Sequence, residues 1–475
     1  MKLNDQPPVH LTYCLNIHPG ETLDDQRRAI LDHVAAVRDA VAGDRGQPFG
    51  LGLRLSAVAS GELLDEPGRL DELAALLDEN GMYAFTINGF PYGPFHGRAV
   101  KQNVYAPDWR TDERLSYTRQ LATILARLLP EGVPGSISTV PGSYRPWIAG
   151  PDDVRQMAEQ LARAAATCHQ LHQETGRDIC IALEPEPDCF IETIDQAVAF
   201  FQGPLQRFGP AVVADALAAA RDEPARPAGE SDTPRSTDDS GDPAADILRR
   251  HLGLCLDTAH AAVQFESPAS AIDQLTEAGV RLAKIQLSAA LAAEPTAENL
   301  ARLRGFDEPV YLHQVKARGA RGVLQGYPDL PAALASAEKA DPVDAPVADK
   351  SASDLSAASD RAQDTPQNTD ADHNATAAAV PGGDGSAGPG AAGPEWRVHF
   401  HVPLFLEGDQ GLRSTASQLR GRFAEALAAG ACANLEIETY TFDVLPEAVR
   451  PPSVTACIAA EYRWVLDELL APADA

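Results

Sequence analysis

No two of the seven cysteines, at positions 14, 168, 180, 189, 255, 432 and 457, form a Cys-x-x-Cys pair. Odd in number and scattered, they fit neither a disulfide framework nor a structural zinc site, and read as reduced, mostly buried thiols. No run of about 18 apolar residues occurs, so a membrane-spanning helix is not expected. Residues 1–20 open polar and build no apolar signal core, which points to a cytoplasmic protein without membrane insertion. Positive charge is scarce as well, with 39 Lys and Arg against 68 Asp and Glu, a formal net charge of −29. Such acidity repels phosphate backbones and argues against nucleic acid as a partner.

Two tracts lack the residues a core needs. Residues 220–246 are rich in Pro, Asp, Ser and Arg, and residues 335–394 are Ala, Asp, Ser, Gly and Pro without one aromatic. Neither buries enough apolar surface to offset ordering entropy, so both are expected as disordered insertions in loops. The second contains Gly383-Asp-Gly385-Ser-Ala-Gly388, a literal dinucleotide fingerprint. It follows no strand and opens no helix, and is rejected on that ground.

The whole chain is 44% apolar, and what remains outside the two tracts is patterned. Short β-rich runs at 10–17, 50–56, 83–89, 136–140, 178–184, 252–257, 281–288 and 434–441 alternate with helical stretches such as 69–80 and 152–175, each of which stops at a glycine. Eight strands alternating with helices predict one parallel (β/α)₈ barrel over residues 1–475, because each crossover lays a helix on the sheet. Two further strand-like pieces, 309–315 and 396–405, are placed in an elaborated connection between the seventh and eighth strands.

In such a barrel the chemistry belongs at the carboxyl ends of the strands. The polar residues obey this rule: Asn16 and His18, Arg54 and Ser56, Asn88, Ser138 and Thr139, Glu184 and Glu186, Asp257 and His260, Gln286 and Ser288, Glu436 and Glu438. In Leu183-Glu184-Pro185-Glu186-Pro187, prolines end the strand and hold a carboxylate rigidly at the mouth. In Leu256-Asp257-Thr258-Ala259-His260, a strand delivers Asp257 and a helical turn returns His260 to the same place. Alternation in Leu435-Glu436-Ile437-Glu438 turns both glutamates inward, with Glu438 nearer the mouth as the ligand choice and Glu436 a buried partner or an acid/base group. The same alternation puts His399 and His401 on one face, either toward metal or substrate or as a hydrogen-bonded buried pair. The loop 88–109 is dense in aromatics and glycines, and suits a lid, a pocket wall or a plug.

These motifs, together with Leu11-Thr12-Tyr13-Cys14, Asn16-Ile17-His18-Pro19-Gly20-Glu21, Gly52-Leu53-Arg54-Leu55-Ser56, Ser136-Ile137-Ser138-Thr139-Val140-Pro141, Lys284-Ile285-Gln286-Leu287-Ser288, Tyr311-Leu312-His313-Gln314-Val315, His399-Phe400-His401-Val402-Pro403 and Glu438-Thr439-Tyr440-Thr441, resemble the EboE family. That family comprises the metabolite-traffic proteins of the ebo gene cluster, a branch of the xylose isomerase-like barrels. The resemblance implies a divalent metal, Mn²⁺, Mg²⁺, Co²⁺ or Zn²⁺, held by Glu184, Asp257, Gln286 and Glu438, with Gln286 standing where the superfamily has an imidazole. That departure leaves His260, His313, His399 or His401 as alternative imidazole donors, or the metal lost. The expected activity is isomerisation or epimerisation of a small polyhydroxylated or α-hydroxycarbonyl metabolite, with Glu184, Glu438 and His260 as catalytic groups. Substrate contacts are expected from Asn16, His18, Arg54, Asn88, His96, Lys101, His313, His399 and His401. A non-catalytic carrier or scaffold for export, partnered with other ebo proteins, is the rival reading, and metal-assisted hydrolysis a third.

Overall fold

The computed structural model describes residues 1–5, 8–41, 48–94, 100–222, 242–307, 311–319, 322, 324–339, 393–442 and 450–470. The protein is an α/β barrel, with a nearly closed, parallel-rich sheet of nine strands wrapped by helices. In chain order its strands are β1 (Lys2–Asp5), β2 (Pro8–Tyr13), β3 (Phe49–Arg54), β4 (Met82–Asn88), β5 (Gly135–Thr139), β6 (Ile179–Leu183), β7 (Leu252–Asp257) and β8 (Leu282–Leu287), with β15 (Asn434–Ile437) coming last. They lie in the order β1-β2-β15-β8-β7-β6-β5-β4-β3, and every pair is parallel except β1 with β2. A bridge between Cys14 and Gly52 ties the end of β2 to β3, so the outer strands approach each other. All eight expected strands are in this sheet, and the short antiparallel β1 is the one not foreseen.

The strands read as near-continuous apolar runs because both faces are covered, as β3 and β7 show with every residue buried. Around them, helix Pro151–Thr175 starts with Pro at its first position and Asp152 and Asp153 in its first turn, where acids favour the helix dipole. It stops at Gly176, whose φ of 71° closes the last turn through its N–H to His172 O.

Between β8 and β15 the chain builds a second, antiparallel sheet of six strands. These are β9 (Ala289–Ala293), β10 (Val315–Arg318), β11 (Leu324–Tyr327), β12 (Glu395–Val402), β13 (Gly408–Asp409) and β14 (Leu412–Ser414), in the order β11-β10-β12-β9-β14-β13. The two surplus strand-like pieces fall in this insertion, 396–405 largely as β12, while of 309–315 the first two residues lie outside the described ones and Val315 opens β10. Only one residue, Ser288, separates β8 from β9, so the second sheet grows from the carboxyl end of the barrel and carries β12 over the mouth.

The tracts expected as disordered insertions lie largely outside the described residues, as does the rejected glycine motif. Most of their described residues are helical: residues 220–222 close helix Gln206–Asp222, residues 243–246 open helix Pro243–His251, and residues 335–339 close helix Leu330–Lys339, while residues 393 and 394 lead into β12. Among the described residues no helix is long and apolar enough to cross a membrane.

Candidate metal centre at the barrel mouth

Asp257 shows how the local fold makes the site. It is both the last residue of β7 and the N-cap of helix Thr258–Val263, with φ and ψ of −82° and 121°. Its Oδ1 accepts the N–H groups of Ala259 at 2.7 Å and His260 at 3.0 Å, and the Ser288 hydroxyl at 3.2 Å. One carboxylate oxygen thus serves the fold, while the buried Oδ2 has no hydrogen-bond partner. The capped turn carries His260 back over the strand end, as the Asp-x-x-His spacing predicts.

Glu184 continues β6 by one ladder bond, its N–H to Thr139 O at 3.1 Å, before the prolines end the strand. On β15, Glu438 donates its N–H to Leu287 O at 3.0 Å, which keeps the inward alternation of Glu436 and Glu438. Glu438 Oε1 accepts the side-chain amides of Asn16 at 2.6 Å and Asn88 at 3.0 Å, so two further strand ends orient it. Its Oε2, like Glu184 Oε2, is buried without a partner.

Strand β12 supplies the remaining groups. His401 Nε2 lies 3.2 Å from His399 Nε2 and 3.2 Å from His260 Nε2. Glu186 Oε2 is 3.2 Å from His260 Nε2, and its Oε1 accepts the Tyr105 hydroxyl at 3.2 Å. Among the described residues, three sets of side chains have ligand atoms within 4.8 Å of one another: His260, His399 and His401; Glu184, Glu186 and His260; and Asp257, His401 and Glu438. The expected carboxylates therefore fall into two sets, with the imidazoles linking them.

Burial, and next the neighbouring carboxylates, push the Glu184, Glu186 and Glu438 carboxyls well above their ordinary range. Burial, and next the neighbouring imidazoles, push His260 and His399 well down. One layer deeper, Lys284 Nζ is 2.5 Å from Glu436 Oε2. Burial opposes the ammonium there, but Glu436, aided by Cys255 and Cys14, outweighs it and raises the Lys284 pKa. A mouth crowded with bare carboxylate oxygens and neutral imidazoles fits a divalent cation, which would relieve the repulsion among the acids.

These groups line a cavity of about 580 Å³ of atom-free space, counted out to its open mouth. Asn16, Asn88, Lys101, Glu184, Glu186, His260, His399, His401 and Glu438 face it, beside Tyr105, Tyr311 and Tyr440. The aromatic loop supplies Phe90, Val100 and Val104 as a wall. Lys101 is anchored to Tyr311 O and Asp329 Oδ2, both at 2.8 Å.

Other expected contacts sit elsewhere. Arg54 binds Gly20 O at 2.9 Å, Glu21 at 3.1 Å and Gly93 O at 2.6 Å, so it staples loops and does not face the cavity. His18 meets the Tyr13 hydroxyl at 2.9 Å and stacks on His33. His313 stacks on Phe400 at 3.8 Å behind the lining and hydrogen-bonds His399 O. Gln286 Oε1 accepts the Cys255 thiol at 3.0 Å, below the lining residues. His96 lies outside the described residues. Three residues were not anticipated. Tyr105 and Gln314 form a chain to Glu186, with Gln314 Nε2 donating to the Tyr105 hydroxyl at 3.0 Å. Lys284 was legible only as a cation in the inward register of Gln286 and Ser288.

No family model and no curated protein matches the chain. Among solved structures, the chain is similar to a xylose isomerase-like TIM barrel protein from Mycobacterium smegmatis in complex with magnesium, at 11% identity over 70% of this chain and 94% of that one, TM-score 0.37. It is also similar to the IOLI protein with a bound zinc atom, at 12% identity over 59% and 73% of the two chains, TM-score 0.33. A third is D-psicose 3-epimerase with D-tagatose from Clostridium cellulolyticum H10, at 17% identity over 66% and 84%, TM-score 0.33.

Proposed function

We propose that this eightfold (β/α)₈ barrel is a divalent-metal-dependent isomerase or epimerase for a small polyhydroxylated or α-hydroxycarbonyl metabolite. Its place would be a metabolite-traffic pathway of the ebo type, as the EboE resemblance implies. The observation that carries the reading is Glu438, a buried carboxylate with one oxygen fixed by two amides and the other bare beside the cavity. Glu184, Asp257 and Glu438 are the carboxylate ligands of the proposed metal position, with Gln286 as the neutral oxygen donor once its Oε1 is released by the Cys255 thiol. A bound divalent ion supplies positive charge that polarises a substrate carbonyl.

The chain's own residues do the rest. Glu438 Oε2 takes the proton from the carbon next to the carbonyl, and Glu184 returns one; burial and the neighbouring carboxylates raise both carboxyls above their ordinary range, which makes each a stronger proton acceptor. His260, with Nδ1 fixed on Pro185 O at 3.0 Å, orients a substrate hydroxyl. Asn16, Asn88, Lys101, His399 and His401 bound the substrate, and the tyrosines exclude water.

The carrier reading draws on Gln286, whose oxygen is engaged by Cys255 and so departs from the four-ligand pattern. Proton transfer separates the two. The metal-supplemented protein, incubated in D₂O with a panel of ketoses and their 2-hydroxy analogues, is expected to wash deuterium into the carbon beside the carbonyl of at least one of them. Glu438→Gln is expected to slow that exchange by about 100-fold or more while substrate binding stays within roughly tenfold. A Glu438→Gln protein that retains full cellular function would sink the enzyme reading and leave the carrier.

A further inference from the structure

His260, His399 and His401 bring three Nε2 atoms together, with His401 Nε2 at 3.2 Å from each of the others. Which of these nitrogens carry protons follows from what lies behind each ring. His260 Nδ1 faces Pro185 O at 3.0 Å, and His401 Nδ1 faces Glu438 O at 2.9 Å. Backbone carbonyls only accept, so both Nδ1 atoms donate. His399 Nδ1 faces Gln314 Oε1 at 2.7 Å. The orientation of that amide is set by its nitrogen, which donates to Pro187 O at 3.2 Å. His399 Nδ1 is therefore a donor too. A neutral imidazole with its proton on Nδ1 presents a lone pair at Nε2. With one proton on each ring, three buried lone pairs point at one another with no hydrogen between them. One added proton would supply a single Nε2–H for two close Nε2 contacts and would leave the other facing lone pair to lone pair.

This arrangement has the form of a metal position: Nε2 donors converging, with each Nδ1 held by an oxygen that fixes the tautomer. Glu186 Oε2, 3.2 Å from His260 Nε2, stands beside it as an oxygen donor, oriented by the Tyr105 hydroxyl on its other oxygen. We infer that His260, His399 and His401, with Glu186, form an imidazole metal position that adjoins the Glu184, Asp257 and Glu438 carboxylates, within whose reach His260 and His401 also lie. Three imidazoles select a borderline transition ion of the Zn²⁺ or Co²⁺ kind over Mg²⁺ or Ca²⁺. Two of the three ligands come from β12, so the inserted sheet completes the site that the barrel begins. The inference shares with the proposed function the premise that the mouth binds metal, gives His260, His399 and His401 ligation in place of the direct substrate contacts proposed above, and does not require the carboxylate position.

Co²⁺ added to the chelator-stripped full chain tests it, read by visible absorption, metal stoichiometry after gel filtration and X-ray absorption. The expected result is tight uptake with a spectrum and outer-shell scattering of about three imidazoles per ion in this position, undisturbed by a hundredfold excess of Mg²⁺. His399→Ala with His401→Ala is expected to remove one ion per chain and at least 100-fold of affinity, while Glu438→Gln and Asp257→Asn keep that ion. If the carboxylate variants lose it and the histidine pair does not, the inference is overturned and the proposed function keeps its metal. If the histidine pair loses the ion and the carboxylate variants bind no second one, the imidazole position stands and the proposed carboxylate position falls. No uptake at all overturns both. Should the histidine variants fail to fold by circular dichroism, the wild-type scattering decides alone, and one imidazole or none per ion overturns the inference.

Discussion

Lys284 and Glu436 form an ion pair closed inside the barrel, Nζ to Oε2 at 2.5 Å with neither side chain exposed. Glu436 also explains a glycine two strands away on β3, since a Cβ at Gly52 would come within 1.9 Å of its Oε1. Lys284 reaches the Ser138 hydroxyl at 3.2 Å as well, so this cation is the floor on which the carboxylates of the mouth rest. A buried pair is costly to break from one side because the remaining charge has no water. Lys284→Met is expected to lower unfolding stability by about 3–5 kcal/mol in urea titrations. Adding Glu436→Gln to it should restore most of the loss. A single Lys284→Met as stable as the parent would refute the pairing argument.

Glu461 gives a pH dependence of definite sign. It is fully buried on helix Val454–Trp464, with Oε1 accepting the Thr439 hydroxyl at 2.7 Å and the Leu404 N–H at 3.1 Å, and burial pushes its pKa from 4.5 up to about 8. A carboxyl whose folded pKa lies above its unfolded one favours the fold while protonated. That contribution is complete below about pH 4.5 and is lost as pH rises through about 8. Relative to the parent, Glu461→Gln should gain roughly 3–5 kcal/mol between pH 5 and pH 9. Chemical denaturation at the two values measures it, and parallel pH curves for both proteins would contradict it.

Asn16 and Asn88 act on one atom, Glu438 Oε1. Removing either amide frees the carboxylate to rotate, so Asn16→Ala and Asn88→Ala are each expected to reduce the exchange activity about 10- to 100-fold, as loss of a group orienting a ligand does. The double variant should fall short of the product of the two, because they share a target. Strictly multiplicative losses would mean the amides serve separate ends.

The tract 340–391 is expected to be dispensable. Apart from alanines its only apolar residues are Val343, Val347, Leu355 and Val380, too few for a core, and described helix and strand resume on both sides. A chain with a short Gly-Ser linker in its place should keep its melting temperature within about 3 °C, well under the shift of a 2 kcal/mol loss. Insoluble or unfolded product would show that the tract packs.

Much of the fold was readable from local pattern. Strand period, glycine stops and prolines after carboxylates act within a few residues, and they located all eight parallel strands, the inward pair Glu436 and Glu438, and the Asp257 turn. β1 escaped because Lys2–Asp5 is polar and lies at the sheet edge, where no apolar pattern is required. The strand ends were also read too uniformly. Arg54 stands at the end of β3, yet its guanidinium reaches loop carbonyls that no periodicity reports.

By itself, then, the sequence determined a parallel barrel with acids at its mouth, since burial of alternating side chains follows from neighbours along the chain. Only the tertiary structure decided which groups meet. His260 and His401 are 141 residues apart and 3.2 Å distant because β9 reverses out of β8 and pairs with β12. Lys284 finds Glu436 because β8 and β15 are adjacent in a nearly closed sheet. Such meetings depend on strand pairing across long loops, which is set by the global minimum of packing and hydrogen bonding and leaves no trace in any local window.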